Sequence, residues 1–227
     1  MTRRITRKEM KTDEFVETAV EASHWLEKNW QQVVKGAVAL AVIGAIIGFV
    51  FWYRAHNRNQ AEELLARGIH TYQQAEAAGF ADSAAVEEAL ALFAESADRS
   101  GSAPAGRSAR YFQGASLIRL GRAEEAVTVL EDLSSENLTP TLAWSSEALF
   151  AEALAGAGQF ERAVEVLETM AAATDTTNPP GQALLQLARL HQRQGNQEEA
   201  RELLQRVTEE FPQSAAAMEA GPMLAAP

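Results

Sequence analysis

Three stretches decide how this chain folds: LGRAEEAVTVLEDL at residues 120–133, AGQFERAVEVLETM at 157–170 and QGNQEEARELLQRV at 194–207. Aligned on their glycines, they recur every 37 residues. Alanine follows each glycine after five residues and leucine follows it after nine. The shared positions are Gly121, Gly158 and Gly195, then Ala126, Ala163 and Ala200, then Leu130, Leu167 and Leu204. Self-similarity at a period of about 20–50 residues is typical of repeat architectures.

The chemistry of these positions predicts a helical hairpin in each repeat. Glycine frees the backbone for a tight turn, and small residues seven before and five after it allow two helices to pack closely. One hairpin cannot bury its own apolar face, so the hairpins should stack into an α-solenoid. The predicted helix pairs are 107–120 with 123–134, 141–156 with 160–172, and 181–194 with 197–210, after a degenerate pair at 55–78 and 83–98.

The repeat resembles the tetratricopeptide repeat family, whose helix-turn-helix unit has small residues in these places and often a proline after its second helix. Pro212 in EEFPQS stands where that proline belongs. The family's usual unit is shorter than 37 residues, which implies longer loops between units here. Aliphatic residues replace most of the family's aromatic ones.

An uncharged segment, GAVALAVIGAIIGFVFWY at 36–53, precedes the repeats. With Val33, Val34 and Lys35 it reaches the roughly 20 helical residues that cross a bilayer core. Trp30 before it, and Trp52 and Tyr53 at its end, suit an aromatic belt. A buried core helix and a cleaved signal peptide are less favoured interpretations, because of these flanks and the long preceding tail. Within the span, Gly44 and Gly48 form a G-x-x-x-G pair that predicts a helix-packing face.

The charge pattern suggests how the chain is organised. The net charge is -11, yet residues 1–35 carry seven of the 20 Lys and Arg. A short basic tail inside and an acidic body outside is the favoured orientation, although the residues nearest the span lean slightly the other way. We expect a cytoplasmic tail with an amphipathic helix at 1–32, a transmembrane helix at 33–53, a tetratricopeptide-like domain at 54–212 and a frayed, Ala- and Pro-rich end at 213–227. The tail helix suits either a membrane surface or a docking or degradation signal.

No pattern of reactive residues emerges. There is no cysteine, the four histidines are scattered, and no phosphate-binding, nucleophile or metal motif is present, so neither an enzyme nor a cofactor or metal site is expected. The acidic balance argues against nucleic acid. The first helix of each unit should line a concave groove suited to an extended polypeptide. Counting back from the turn glycines nominates six groove residues: Tyr111, Arg119, Glu152, Leu185, Arg189 and Arg193.

The whole layout resembles the YfgM-like family of ancillary subunits of the bacterial SecYEG translocon. The resemblance rests on DEFVETAVEASHWLEKNW at 13–30, FVFWYR at 49–54 and HTYQQA at 70–75. It implies a single-pass inner-membrane protein with a periplasmic repeat domain. Its partners would be the translocon, a membrane-anchored periplasmic foldase and emerging or unfolded polypeptides. The alternative is a scaffold for another envelope machine, such as cell division or cytochrome maturation.

Overall fold

The computed structural model describes residues 7–173 and 179–225, with side chains described from Lys28 onward. Every secondary-structure element in these ranges is a helix, which confirms the predicted all-α fold of tetratricopeptide-like repeats with a long apolar helix before them. The helices are α1 (Arg7–Ala77), α2 (Ser83–Ser100), α3 (Pro104–Arg119), α4 (Ala123–Ser134), α5 (Pro140–Gly156), α6 (Phe160–Ala172), α7 (Pro180–Gln194), α8 (Gln197–Glu210) and α9 (Ala215–Ala225).

The chain divides into two compact units, the first ending at His56 and the second beginning at Asn57. The first unit contains the apolar segment of α1, and the last turns of α1 belong to the second unit. The stripe predicted for the amphipathic tail helix runs from Phe15 to Trp30. Its side chains before Lys28 lie outside the described residues.

The apolar segment is exposed along its whole length. Leu40 and Phe51 are each 71% exposed, and the flanking Trp30 and Trp52 are 60% and 61% exposed. The part of α1 that begins at Lys28 contains an 18-residue window with a mean hydropathy of 2.4 and no buried residue. By length and composition, it is the one helix in the described part of the chain that could cross a membrane.

The turns of the second unit share one geometry at the repeated glycines. Gly121, Gly158 and Gly195 have φ of 71°, 76° and 83°, a region that favours glycine. In each turn the residue after the glycine donates its backbone N–H to a carbonyl five residues back, as Arg122 does to Leu117 at 2.8 Å. This bond satisfies a carbonyl at the end of the first helix. The turn at Gly79 repeats it, since Phe80 donates to Ala75 at 2.7 Å. The degenerate first pair is therefore built like the others.

Helices in the second unit form two layers. Each helix from α2 to α8 packs on the next, and in addition α3 contacts α5 and α7 contacts α9. The outer helices are α2, α4, α6 and α8, and their contacts are chiefly with the helices before and after them. The inner helices are the last part of α1 from Asn57, α3, α5, α7 and α9. Because α3 approaches α5 and α7 approaches α9, we assign these helices to the inside of the stack.

Small and aliphatic side chains fill the space between the layers. Ala126 and Ala163 are fully buried and Ala200 is 1% exposed, so each repeat has its alanine at a helix contact. Gly114 lies against Leu130, whose side chain is also fully buried. Prolines begin α3, α5 and α7, where the missing N–H costs nothing and the fixed φ suits a first turn. α3 therefore begins at Pro104, three residues earlier than expected.

The prediction of a frayed end at 213–227 is wrong for Ala215–Ala225, which form α9. Ala216, Ala217 and Ala220 are buried in a cluster with Leu185, Leu204 and other residues of α7 and α8. The apolar face of the last hairpin needs a cover, and a short alanine-rich helix can approach it closely. Residues 226–227 lie outside the described part of the chain.

Candidate functional site: two clefts on the inner face

The structure brings four of the six predicted groove residues to two clefts on the inner helices. Tyr111 lines one cleft, and Glu152, Arg189 and Arg193 line the other. Tyr111 and Glu152 are also close enough for the carboxylate to raise the pKa of the phenol. Both clefts are lined in part by α5, so they lie on neighbouring parts of the inner helices.

The other two predicted groove residues lie elsewhere. Arg119 is exposed, and its guanidinium carbon lies 4.9 Å from the centre of the Phe80 ring, beside the turn between α1 and α2. The prediction that Leu185 lines the groove is wrong, because Leu185 is fully buried in the cluster shared by α7, α8 and α9. The α9 helix, which was not predicted from the sequence, covers the side of α7 on which Leu185 lies.

The Tyr111 cleft has a volume of about 410 Å³ and lies between α3 and the first turns of α5. Tyr111 and Phe112 form an edge-to-face pair with ring centres 5.3 Å apart. Arg107, at the rim, donates from Nη1 to the backbone carbonyl of Asn137 at 2.5 Å. This contact ties α3 to the loop before α5 and leaves the guanidinium charge without a carboxylate partner in the described residues. The lining residues are Pro104, Arg107, Ser108, Tyr111, Phe112, Thr139, Thr141, Leu142 and Ser145.

The Arg193 cleft, of about 250 Å³, lies between α5 and α7 with Leu167 of α6 in its lining. Arg189 donates from Nη2 to Glu219 of α9 at 2.5 Å, so its charge is compensated. Arg193 is exposed and has no hydrogen-bond or ion-pair partner among the described residues. The lining residues are Ala151, Glu152, Ala155, Leu167, Gln186, Arg189, Leu190 and Arg193.

Two groups on or near this surface have altered acidity. Burial is the largest cause that raises the pKa of the Tyr111 phenol, and the negative charges that Tyr72 and Glu152 can carry raise it further. Tyr111 therefore stays a neutral donor at physiological pH. The pKa of Glu147 in α5 is also raised because the packing around its carboxyl removes water, although the residue as a whole is exposed.

Several lining residues were not predicted from the sequence, notably Arg107, Ser145 and Gln186. A signal for them exists in α5 and α7, where the lining falls on one helical stripe. Ser145 and Glu152 are thirteen and six residues before Gly158, and Arg189 is again six before its own glycine. The predicted positions were ten, six, three and two residues before the glycine; the tenth gives Tyr111 in α3 but the buried Leu185 in α7.

The described residues contain no group of three or more His, Asp or Glu side chains that could hold a metal ion. What the inner face offers is a pair of recesses with apolar floors and polar rims. Such a surface can hold side chains of another polypeptide.

Two family models match the chain, both described as tetratricopeptide repeat, over residues 154–220 and 107–132. Neither is a catalytic family. The longer match runs from α5 into α9. No curated protein matches the chain. Among solved structures, the crystal structure of YrrB, a TPR protein with an unusual peptide-binding site, is 20% identical with a TM-score of 0.42, over 70% of this chain and 84% of that one.

The paired helices, the repeated glycine turns and the two family matches agree. Residues 107–132 and 154–220 are therefore similar to tetratricopeptide repeats in both sequence and fold.

Proposed function

We propose that this protein is a non-enzymatic, membrane-anchored protein-binding module of the bacterial inner membrane. In this proposal residues 33–53 span the bilayer, residues 1–32 are cytoplasmic and the repeat domain from residue 54 is periplasmic. The finer role is that of an ancillary SecYEG subunit. It would hold emerging secreted chains and pass them to a membrane-anchored periplasmic foldase, without chemistry of its own.

One observation carries the anchor: the apolar segment is helical and no residue of its most hydrophobic window is buried. Each large aliphatic or aromatic side chain left in water forgoes about 1.5–3 kcal/mol of burial free energy. A run of such side chains needs a non-aqueous surrounding, and its length matches a bilayer core. The Trp and Tyr rings at its ends suit the two interfaces.

The proposed orientation is supported by the basic tail. Seven Lys and Arg precede residue 36, whereas the body is strongly acidic. Short basic segments stay in the cytoplasm, while long domains are translocated largely regardless of charge.

Two measurements test the anchor and its direction. Alkaline carbonate extraction should leave the full-length protein in the membrane pellet, and release into the supernatant would refute the anchor. A reporter enzyme that works only outside the cytoplasm should be active when it is fused after Pro227. Activity from a reporter that works only in the cytoplasm would reverse the orientation.

The partner is tested by photo-crosslinking in intact membranes. A photoreactive amino acid at Gln186, in the Arg193 cleft, samples the inner face, and the same amino acid at the exposed Gln205 of α8 is the matched control. Translocon subunits or the foldase recovered from position 186, and not from 205, are the expected result. Components of cell division or cytochrome maturation at position 186 would instead support the alternative scaffold role. Equal products from both positions would contradict binding at the inner face.

A further inference from the structure

Charge in the repeat domain is divided between the two helix layers. The outer helices α2, α4, α6 and α8 carry 16 Asp and Glu but four Arg. The inner helices α3, α5 and α7 carry five Arg and two Glu. Adding the last part of α1 from Asn57 and α9 brings the inner layer to seven Arg and six Glu, still without an acidic excess. The acidity of the domain therefore lies on its outer layer.

Ion pairs compensate some of the arginines on both layers. On the outer helices, Arg99, Arg162 and Arg206 each pair with a glutamate at 2.7–3.0 Å, whereas Arg201 has no partner among the described residues but lies on α8 with five glutamates. On the inner helices, Arg110 and Arg189 also pair with glutamates. Arg107 bonds a neutral carbonyl instead, and Arg193 has no partner among the described residues. The unpaired arginines of the inner helices therefore belong to the layer without an acidic excess, and a recessed surface focuses their potential.

The two unpaired arginines each stand at a cleft with apolar lining. Arg107 shares its cleft with Tyr111, Phe112 and Leu142. Arg193 shares the other with Leu167 and Leu190, and also with Glu152 and the ion-paired Arg189. Each cleft can take an apolar side chain while its guanidinium accepts a neighbouring carboxylate, a charge-assisted contact that arginine makes well.

We propose that the inner face selects extended acidic segments, in which an apolar residue lies next to Asp or Glu at two places; this rests on the protein-binding role proposed above. One cleft is lined by α5 at Leu142 and the other at Glu152, and these two residues are ten positions apart along the helix. At a rise of about 1.5 Å per residue this is roughly 15 Å, which an extended chain spans in about five residues. Basic segments are excluded from the inner face and meet the acidic outer layer instead.

The test uses the full-length protein in mild detergent and fluorescence anisotropy of labelled 14-residue peptides. The acidic probe carries two Leu-Glu pairs five residues apart. Matched probes replace every Glu by Gln or by Lys. We expect the acidic probe to bind at least about tenfold more tightly than the Gln probe, and its affinity to fall as salt is raised, because exposed charges are screened. A Gln probe that binds as well as the acidic probe would refute the acidic preference and leave the protein-binding role intact.

Arg193→Glu and Arg201→Glu provide the matched variants. Both change the chain charge equally, but Arg201 lies on the outer helix α8. Arg193→Glu should weaken binding of the acidic probe about tenfold and Arg201→Glu less than twofold, with the effect of Arg193→Gln in between. Circular dichroism checks that all three remain folded. Equal losses in both charge reversals, or tightest binding of the Lys probe, would overturn the proposal. If no probe binds and position 186 gives no crosslinks, the protein-binding function itself fails.

Discussion

The sharpest test of the packing is the pair formed by Gly114 of α3 and Leu130 of α4. A Cβ added at Gly114 would lie 2.7 Å from both Cγ and Cδ2 of Leu130 and 3.0 Å from Cδ1. Carbon atoms prefer about 3.5–4.0 Å, so the end of Leu130 would have to move by roughly 1 Å. Leu130 is fully buried and has no solvent to move into.

The expected free energies follow from two opposing effects. Replacing glycine by alanine inside a helix gains about 1 kcal/mol, whereas overpacking a filled core costs about 1–3 kcal/mol. Gly114→Ala should therefore destabilise the folded domain by about 1 kcal/mol. Leu130→Ala alone should cost about 2–5 kcal/mol because it leaves a cavity. In that background the new methyl meets empty space, so Gly114→Ala should now stabilise by about 1 kcal/mol. The coupling between the two sites is then about 2 kcal/mol.

A urea titration of the full-length chain in mild detergent measures these values. Trp144 of α5, with its Nε1 buried, serves as the reporter after the other three tryptophans are replaced by phenylalanine. Gly221→Ala in α9 is the control, because its added methyl would meet no atom within 4 Å. The reasoning is refuted if Gly114→Ala has the same sign in both backgrounds, since the close approach to Leu130 would then be absent.

Four further predictions concern other parts of the molecule. Ala163→Leu should cost about 2–3 kcal/mol by overpacking α5 against α6, and an unchanged melting temperature would contradict the repeat register. Truncation after Ser214 removes α9 and exposes Leu185, which should cost about 1.5–3 kcal/mol of stability for that side chain alone. The melting temperature should therefore fall, and an unchanged value would mean that α9 does not cover the core. Burial raises the pKa of Glu147, so its ionised form destabilises the native state. Glu147→Gln should raise the unfolding midpoint at pH 7, with a gain that vanishes as the pH falls below the ordinary value of 4.5 and the wild-type carboxyl takes up its proton, and a gain independent of pH would contradict this cause. Gly48→Leu should reduce crosslinks within the membrane if the open Gly44–Gly48 face packs on another helix, whereas Ala39→Leu serves as the control and should leave them unchanged.

Local features of the sequence were enough to predict the repeats. The glycine turns depend on a backbone conformation that glycine favours, and the alanines and leucines mark helix contacts at fixed distances from it. The helix pairs consequently lie within a few residues of their expected bounds. The apolar helix was predictable for the same reason, since its length and composition belong to one continuous segment.

The candidate site depended more on contacts between repeats. Tyr111, Glu152, Arg189 and Arg193 were found by counting from the turn glycine, because the inner stripe repeats with the helix. Leu185 failed this count since α9 covers that side of α7, and nothing local distinguishes an alanine-rich cover helix from a loose end.

The sequence by itself determined the period, the turns and the apolar segment, because each follows from interactions within a few residues along one stretch of chain. Only the tertiary structure decided which side of each helix is recessed, that Arg193 stands unpaired beside an apolar floor, and that the last residues close the core. Those properties arise where helices distant in sequence meet, and a spacing rule within one helix does not contain them.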